Sequence, residues 1–200
     1  MSTAQTRVGP VSYSDSGGDG PVVVALHVVL HDRRDFDPIG ASLRRHYRVV
    51  AVDWPGHGES PAPRDPFVAA AELYADVLED VSAALDLPPA GYLGNSVGGY
   101  CAARLALTHP NRVAGLVLVD TGGFLGSPLT NAYCRLLGVP AVLRHVLPRF
   151  VRSYLQAQSA ADDAVLQRVS ERAVSQAGVS LAAALWRSRG RAGSKGTMGG

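Results

Sequence analysis

The sequence predicts an α/β fold, a mostly parallel open sheet with flanking helices. Three observations lead there. Over the first 120 residues, short β-branched runs alternate with longer stretches of helical periodicity. The runs are bounded by glycine, proline and aspartate, the residues that punctuate elements. The order strand, helix, strand, helix requires parallel strands joined by crossover helices.

The elements follow in chain order. A segment around Val11–Ser14 reads as an outer strand. Val22–Leu26 (VVVAL), preceded by Gly17, Gly18, Gly20 and Pro21, is a continuous apolar run and reads as a strand buried on both faces. Asp37 and Pro38 form an N-cap and first-turn pair that opens a helix to about Tyr47. Arg48–Val52 (RVVAV) is the next strand, stopped by Asp53 and then Pro55-Gly56. Asp65-Pro66 repeats the capping device, and Leu73, Val77, Val81 and Leu85 then recur every four residues as one apolar helical stripe. Pro88-Pro89 ends it. Tyr92–Leu93 opens a short strand, a helix runs from there to His109-Pro110, and Arg112–Val119 (RVAGLVLV) is a further strand. From Gly126 to Trp186 the patterns are helical throughout. Ser188–Gly200, rich in glycine and nearly free of apolar side chains, reads as a disordered tail. The expected division is 1–125, 126–187 and 188–200.

Composition narrows the function. Two hundred residues, 46% hydrophobic and 18% charged, make a globular chain with one sizeable core or two small ones. Nineteen basic against 17 acidic side chains leave a net charge of +2, too balanced for gripping phosphate backbones. The longest strongly apolar stretch, Val22 to Leu30, is too short for a bilayer, and the N-terminus has no signal-like apolar region. Cys101 and Cys134 lie in no metal or redox spacing, which fits a reducing cytoplasm. The expectation from composition is a cytoplasmic protein with no nucleic acid, no membrane and no metal site.

Chemistry concentrates in Gly94-Asn95-Ser96-Val97-Gly98-Gly99, between a short strand and a helix. It fits G-x-S-x-G, where a sharp strand-to-helix turn pushes a serine hydroxyl out of the sheet and small neighbours leave room for the turn. The Val97 N–H then opens the helix and faces negative charge developing on a substrate oxygen. The alternatives are a glycine-rich turn with an incidental serine, or a phosphate loop, for which lysine and the G-x-G-x-x-G spacing are missing.

With two further motifs, this segment resembles the α/β-hydrolase fold superfamily over roughly residues 10 to 187. Asp53-Trp54-Pro55-Gly56-His57-Gly58-Glu59-Ser60 is similar to the D-x-P-G-H-G-x-S turn after the fourth strand of many members. Leu26-His27 is similar to the start of their oxyanion loop. The resemblance implies Ser96 as nucleophile and backbone donors at Val97 and at Val28 or Val29. It also implies a helical cap over Gly126–Trp186. It implies, too, reaction through an acyl-enzyme on a small ester-like or related acyl substrate, an apolar small-molecule partner, and no metal or cofactor. His27 and His57 read as structural, Trp54 as packing, Cys101 as a small core residue, and Asn95 as an orienting group or a turn residue.

Two features depart from the family pattern. Val28 and Val29 stand where glycine is usual, and β-branched residues resist positive φ. The family's acid and histidine follow two later strands, which Ser188–Gly200 does not resemble. After Ser96 the acids are Asp120, Asp162, Asp163 and Glu171 and the histidines His109 and His145; the candidates are Asp120, ending the sixth strand, as acid and His145, which follows it, as base, with a helix histidine near the cap surface the plainer reading of His145. The expectation is therefore a hydrolase with its sheet incomplete at the C-terminal end. The alternative function is a truncated, inactive remnant or an apolar-ligand-binding protein. The strand at 112–119 would then be an open apolar edge suited to self-association.

Overall fold

The computed structural model describes residues 2–63, 71–121, 129, 132, 135–136 and 138–192. The cap at Asp65-Pro66, the start of the helical segment at Gly126, Cys134 and the tail from 193 on lie outside the described residues.

Six strands form one sheet: β1 (Ser2–Thr6), β2 (Gly9–Asp15), β3 (Val22–Leu26), β4 (Arg48–Val52), β5 (Ala90–Asn95) and β6 (Val113–Val119). Their spatial order is β1-β2-β4-β3-β5-β6. The four strands β4, β3, β5 and β6 run parallel, while β1 and β2 form an antiparallel hairpin on the β4 side. β1 is an addition to the sequence reading. Its sequence STAQT carries no apolar alternation, and it pairs because Gly9, at φ 110°, turns the chain tightly back.

Helices α1 (Asp37–Leu43), α2 (Ala71–Ala84) and α3 (Val97–Thr108) link the parallel strands. In α2, Tyr74, Val77, Leu78 and Val81 are buried; of the expected stripe, Leu73 and Leu85 are only partly buried and Leu85 lies just past the helix, so the core face is turned toward Tyr74 and Leu78. At α1 the reading needs correction. Asp37 is the first helical residue rather than the cap, because a 3-10 turn at Arg33–Phe36 leads straight into the helix, and that turn is capped by Asp32. The helix also stops at Leu43, short of Tyr47.

Three further helices follow β6: α4 (Pro140–Tyr154), α5 (Ala160–Val174) and α6 (Gln176–Ala192). Helix α6 extends through Ala192, so the expected tail is helical over residues 188–192. Buried apolar side chains fall into two clusters. One lies between the sheet and α2–α3 and takes in Val24, Leu26, Trp54, Tyr74, Leu78 and, from α6, Leu181 and Leu185. The other joins α4, α5 and α6 around Leu143, Leu147, Val151, Val169 and Ala183, with Leu30 reaching in from the loop after β3. Among the described residues no helix is long and apolar enough to cross a membrane.

Candidate active site

Strand register brings the candidate residues to one end of the sheet. Leu26 pairs with Val52 on one side and with Gly94 on the other, and Asn95 pairs with Val119. The loops beginning at His27, Asp53, Ser96 and Asp120 therefore emerge side by side.

Ser96 sits between β5 and α3 at φ 52°, ψ −111°, a conformation that L-residues avoid. Its N–H donates to the Val119 carbonyl at 3.0 Å, and its own carbonyl accepts from Tyr100 N–H at 3.1 Å, the first turn of α3. The glycines explain why the turn closes. A Cβ at Gly94 would lie 2.5 Å from the backbone of Gly98 and Gly99, and one at Gly98 would run into the Leu26 carbonyl. Strand β3 thus passes against the start of α3, with Val97 as its first residue. The backbone N–H groups there have no helical acceptor and carry the positive end of the helix dipole.

The loop after β3 takes a form the sequence did not disclose. Val28 and Val29 are half-buried, and positive φ falls on Leu30 (72°) instead of on either valine. The Val28 carbonyl accepts from His27 Nδ1 at 2.7 Å and from His31 N–H at 3.2 Å. His27 is buried, and its Nε2 accepts from Trp54 N–H at 3.1 Å while the Trp54 indole N–H donates to the His27 carbonyl at 2.8 Å. A ring that accepts at Nε2 carries its proton on Nδ1, so His27 is neutral. Burial lowers its pKa to about 3.

The Asp53–Ser60 turn is held by its own polar residues. Asp53, fully buried, accepts from Arg33 N–H at 2.8 Å and Glu59 N–H at 3.0 Å, and pairs with the Arg33 guanidinium, which also holds Glu59. Ser60 Oγ donates to the Asp53 carbonyl and accepts from Ser12 N–H, both at 2.8 Å. His57 is buried with Nδ1 3.1 Å from the Pro55 carbonyl, and its pKa is pushed well below the usual value by burial, then by His27 and Arg172. Trp54 is fully buried and stacks on Tyr74. Cys101 is buried in α3.

Asp120 directly follows the carbonyl that receives Ser96 N–H, and is exposed at φ 46°. Its Oδ2 accepts from the Tyr154 hydroxyl of α4 at 2.8 Å. His145 is exposed on α4; its Nε2 accepts from Arg144 at 3.3 Å and its carbonyl from Arg149 at 2.8 Å. The structure thus sets Asp120 beside the Ser96 turn and gives His145 partners on its own helix.

Sequence reasoning missed the two arginines of α5. Arg172 donates to the carbonyls of Gly56 (3.3 Å) and Gly58 (3.4 Å), and Arg168 reaches Asp32 (3.4 Å) and Asp35 (3.2 Å). They fasten α5 to the loops after β3 and β4, at the same sheet end as Ser96. Burial raises the Asp32 carboxyl, but Arg34 and then Arg168 outweigh it and bring the pKa to about 2. A cavity of about 200 Å³ lies under this clamp, lined by Leu30, Gly56, His57, Arg172, Ser175 and Leu181 among others, and not by Ser96.

Comparison with known proteins agrees with this geometry. The model of the alpha/beta hydrolase fold family matches residues 21–175. The chain is 38% identical over 128 residues to a 2-hydroxy-6-oxononadienedioate/2-hydroxy-6-oxononatrienedioate hydrolase of Cupriavidus pinatubonensis, covering 59% of this chain and 41% of that protein. It is 35% identical over 121 residues to the sn-1-specific diacylglycerol lipase ABHD11 of Mus musculus, covering 58% and 38%. In fold it is similar to the enol-lactonase from Burkholderia xenovorans LB400, with a TM-score of 0.74 at 22% identity over 94% of this chain and 72% of that one. These curated matches span 35% to 41% of the relatives' own lengths. With 155 of its 200 residues matched by the family model, the chain belongs to the alpha/beta hydrolase fold family.

Proposed function

We propose that this chain is a serine hydrolase acting on a small ester-like or related acyl substrate. The observation that carries the reading is the strained Ser96 backbone at the head of α3. A turn so costly, about 1–3 kcal/mol, persists where the surrounding structure holds it, and such strain clusters at reacting groups. Ser96 Oγ attacks the acyl carbonyl and its proton passes to a base. The tetrahedral oxyanion is met by Val97 N–H and by an N–H of the loop at Val28 or Val29. Collapse expels the alcohol and leaves an acyl-enzyme, which water hydrolyses to the acid and free serine. Asp120, which follows β6 beside the Ser96 turn, is the acid in this reading. His145 enters as base on chain order alone. The helical cluster α4–α6, clamped by Arg168 and Arg172, supplies a cover suited to apolar substrates.

A second reading has its own support. His27, His31, His57, His109 and His145 each hydrogen-bond to groups other than Ser96. A chain whose serine lacks a base binds an apolar molecule without turning it over. Hydrolysis of p-nitrophenyl acetate by the wild type, Ser96→Ala and His145→Gln separates the two. The first reading expects activity that vanishes in Ser96→Ala, with a loss of about 10²–10⁴ in His145→Gln if that imidazole is the base. Equal background rates in all three establish the second.

A further inference from the structure

The cavity under the Arg168–Arg172 clamp carries groups that the hydrolytic reading leaves unused. Its walls come from the loop after β3 (Leu30), the turn after β4 (Gly56, His57), the joint of α5 and α6 (Arg172, Ser175) and the second turn of α6 (Leu181). Two of its features are positive. Arg172 is half-buried and donates to the Gly56 and Gly58 carbonyls at 3.3 and 3.4 Å, which takes two of a guanidinium's five N–H donors. No carboxylate pairs with it among the described residues, because Asp32 is held by Arg34 and Arg168 and Asp53 by Arg33. Burial accordingly lowers the Arg172 pKa. Ser175 caps α6, its Oγ accepting from Gly178 N–H and its carbonyl from Val179 N–H, both at 3.0 Å. The positive end of this 17-residue helix therefore opens at the cavity, with Ser175 and Gly178 in its wall. The third feature asks for the opposite kind of group. His57 Nδ1 lies 3.1 Å from the Pro55 carbonyl, an acceptor only, so Nδ1 carries the ring proton and Nε2 a lone pair. Nε2 is buried without a hydrogen-bond partner, a costly state that a donor from a bound molecule relieves.

We propose that this cavity binds a short 2-hydroxy carboxylate, its carboxylate on Arg172 and the N-terminus of α6 and its hydroxyl donating to His57 Nε2. Leu30 and Leu181 cover the alkyl chain. A volume of about 200 Å³, at ~30 Å³ for each water-sized group, admits about six or seven non-hydrogen atoms, the size of 2-hydroxybutyrate. Hydrogen phosphate offers the same charge and O–H, but it would set a hydrated ion against two leucines, so the apolar walls favour the organic acid. Ser96 does not line the cavity, and binding there is independent of turnover.

Isothermal titration of the 200-residue chain at pH 7 with 2-hydroxybutyrate, butyrate and phosphate tests this, together with nitrogen-15 spectra of the histidine rings. The hydroxy acid should bind about tenfold more tightly than butyrate, because only it reaches the unmet acceptor. It should move the His57 Nε2 resonance in the direction of hydrogen-bond acceptance with the ring still neutral, and butyrate should not. Arg172→Gln, with unchanged far-ultraviolet circular dichroism, should bind it about tenfold or more weakly. The ring signal is read on the wild type, so the test holds even where that variant does not fold. No binding of 2-hydroxybutyrate overturns the inference. Equal binding of butyrate, an unmoved Nε2 resonance, or full affinity in folded Arg172→Gln does the same. Tighter binding of phosphate overturns the ligand class, and affinity lost in Ser96→Ala would place the acid beside Ser96 and overturn the site.

Discussion

At the scale of single residues, the Ser96 backbone sets stability against chemistry. Alanine keeps φ 52° and its strain, whereas glycine relieves it. Ser96→Gly should therefore unfold at higher temperature than Ser96→Ala by an amount equivalent to about 1 kcal/mol or more. Equal melting temperatures would show that the Ser96 turn stores no strain. Buried His27 makes a second prediction. Its pKa is about 3 when folded and near 6.5 in an unfolded chain, so between those values unfolding takes up a proton. The stabilising effect is complete above about pH 6.5 and is lost as pH falls toward 3, and His57, also lowered by burial, acts in the same direction. Urea unfolding should show a loss of about 2 kcal/mol from His27 alone between pH 7 and pH 5. A midpoint that does not move would mean these imidazoles titrate alike in the folded and the unfolded chain. Around the candidate site, the Ser96 turn with Gly94 and Gly98 was legible because tight backbone approach leaves a glycine signature. Leu30 was not legible, since nothing in its side chain announces positive φ. Nor was Tyr154, whose bond to Asp120 spans 34 residues of sequence.

Elements were legible where one physical signal ruled. The apolar runs Val22–Leu26 and Arg48–Val52 match β3 and β4 end to end, because strands buried between neighbours need β-branched side chains and little else. β1 escaped notice because a polar edge strand is held by pairing with β2, which single-segment periodicity cannot express. The same holds for the way α5 is fastened. Its arginines read as solvated charge along the chain, yet Arg172 spans two turn carbonyls and Arg168 two carboxylates. Arg172→Ala should cost about 1–3 kcal/mol, the range for hydrogen bonds from a charged group. Its more telling effect is local. Amide exchange should quicken in α5 and in the Gly56–Gly58 turn while β3 and β5 keep their protection. Uniform acceleration across the sheet would mean that Arg172 supports the whole core.

For the molecule as a whole, two buried clusters joined by few residues make its cooperativity the open question. The sheet cluster holds the large side chains Trp54, Tyr74, Leu26 and Leu78, whereas the second is built from α4–α6 with only Leu30 buried in it from the sheet side. Helix α6 belongs to both, through Leu181 and Leu185 on one face and Ala182 and Ala183 on the other. Smaller apolar area and fewer links give α4 and α5 a lower opening free energy than the sheet, so they should unfold as a separate unit. Leu147→Ala and Leu78→Ala each remove a buried leucine and should each cost about 2–5 kcal/mol. Their exchange patterns should differ. Leu147→Ala exposes the amides of α4 and α5 and leaves β3–β5 protected, while Leu78→Ala lowers protection in every element, because the helical cluster has no platform once the sheet opens. Helix α6, tied to both clusters, should follow the sheet. Loss of sheet protection in Leu147→Ala equal to that in α4 would make the chain a single cooperative unit. Under the proposed hydrolase function, α4 and α5 could then move away from the Ser96 end of the sheet only as the strands unfold, and substrate would have to enter by some other path.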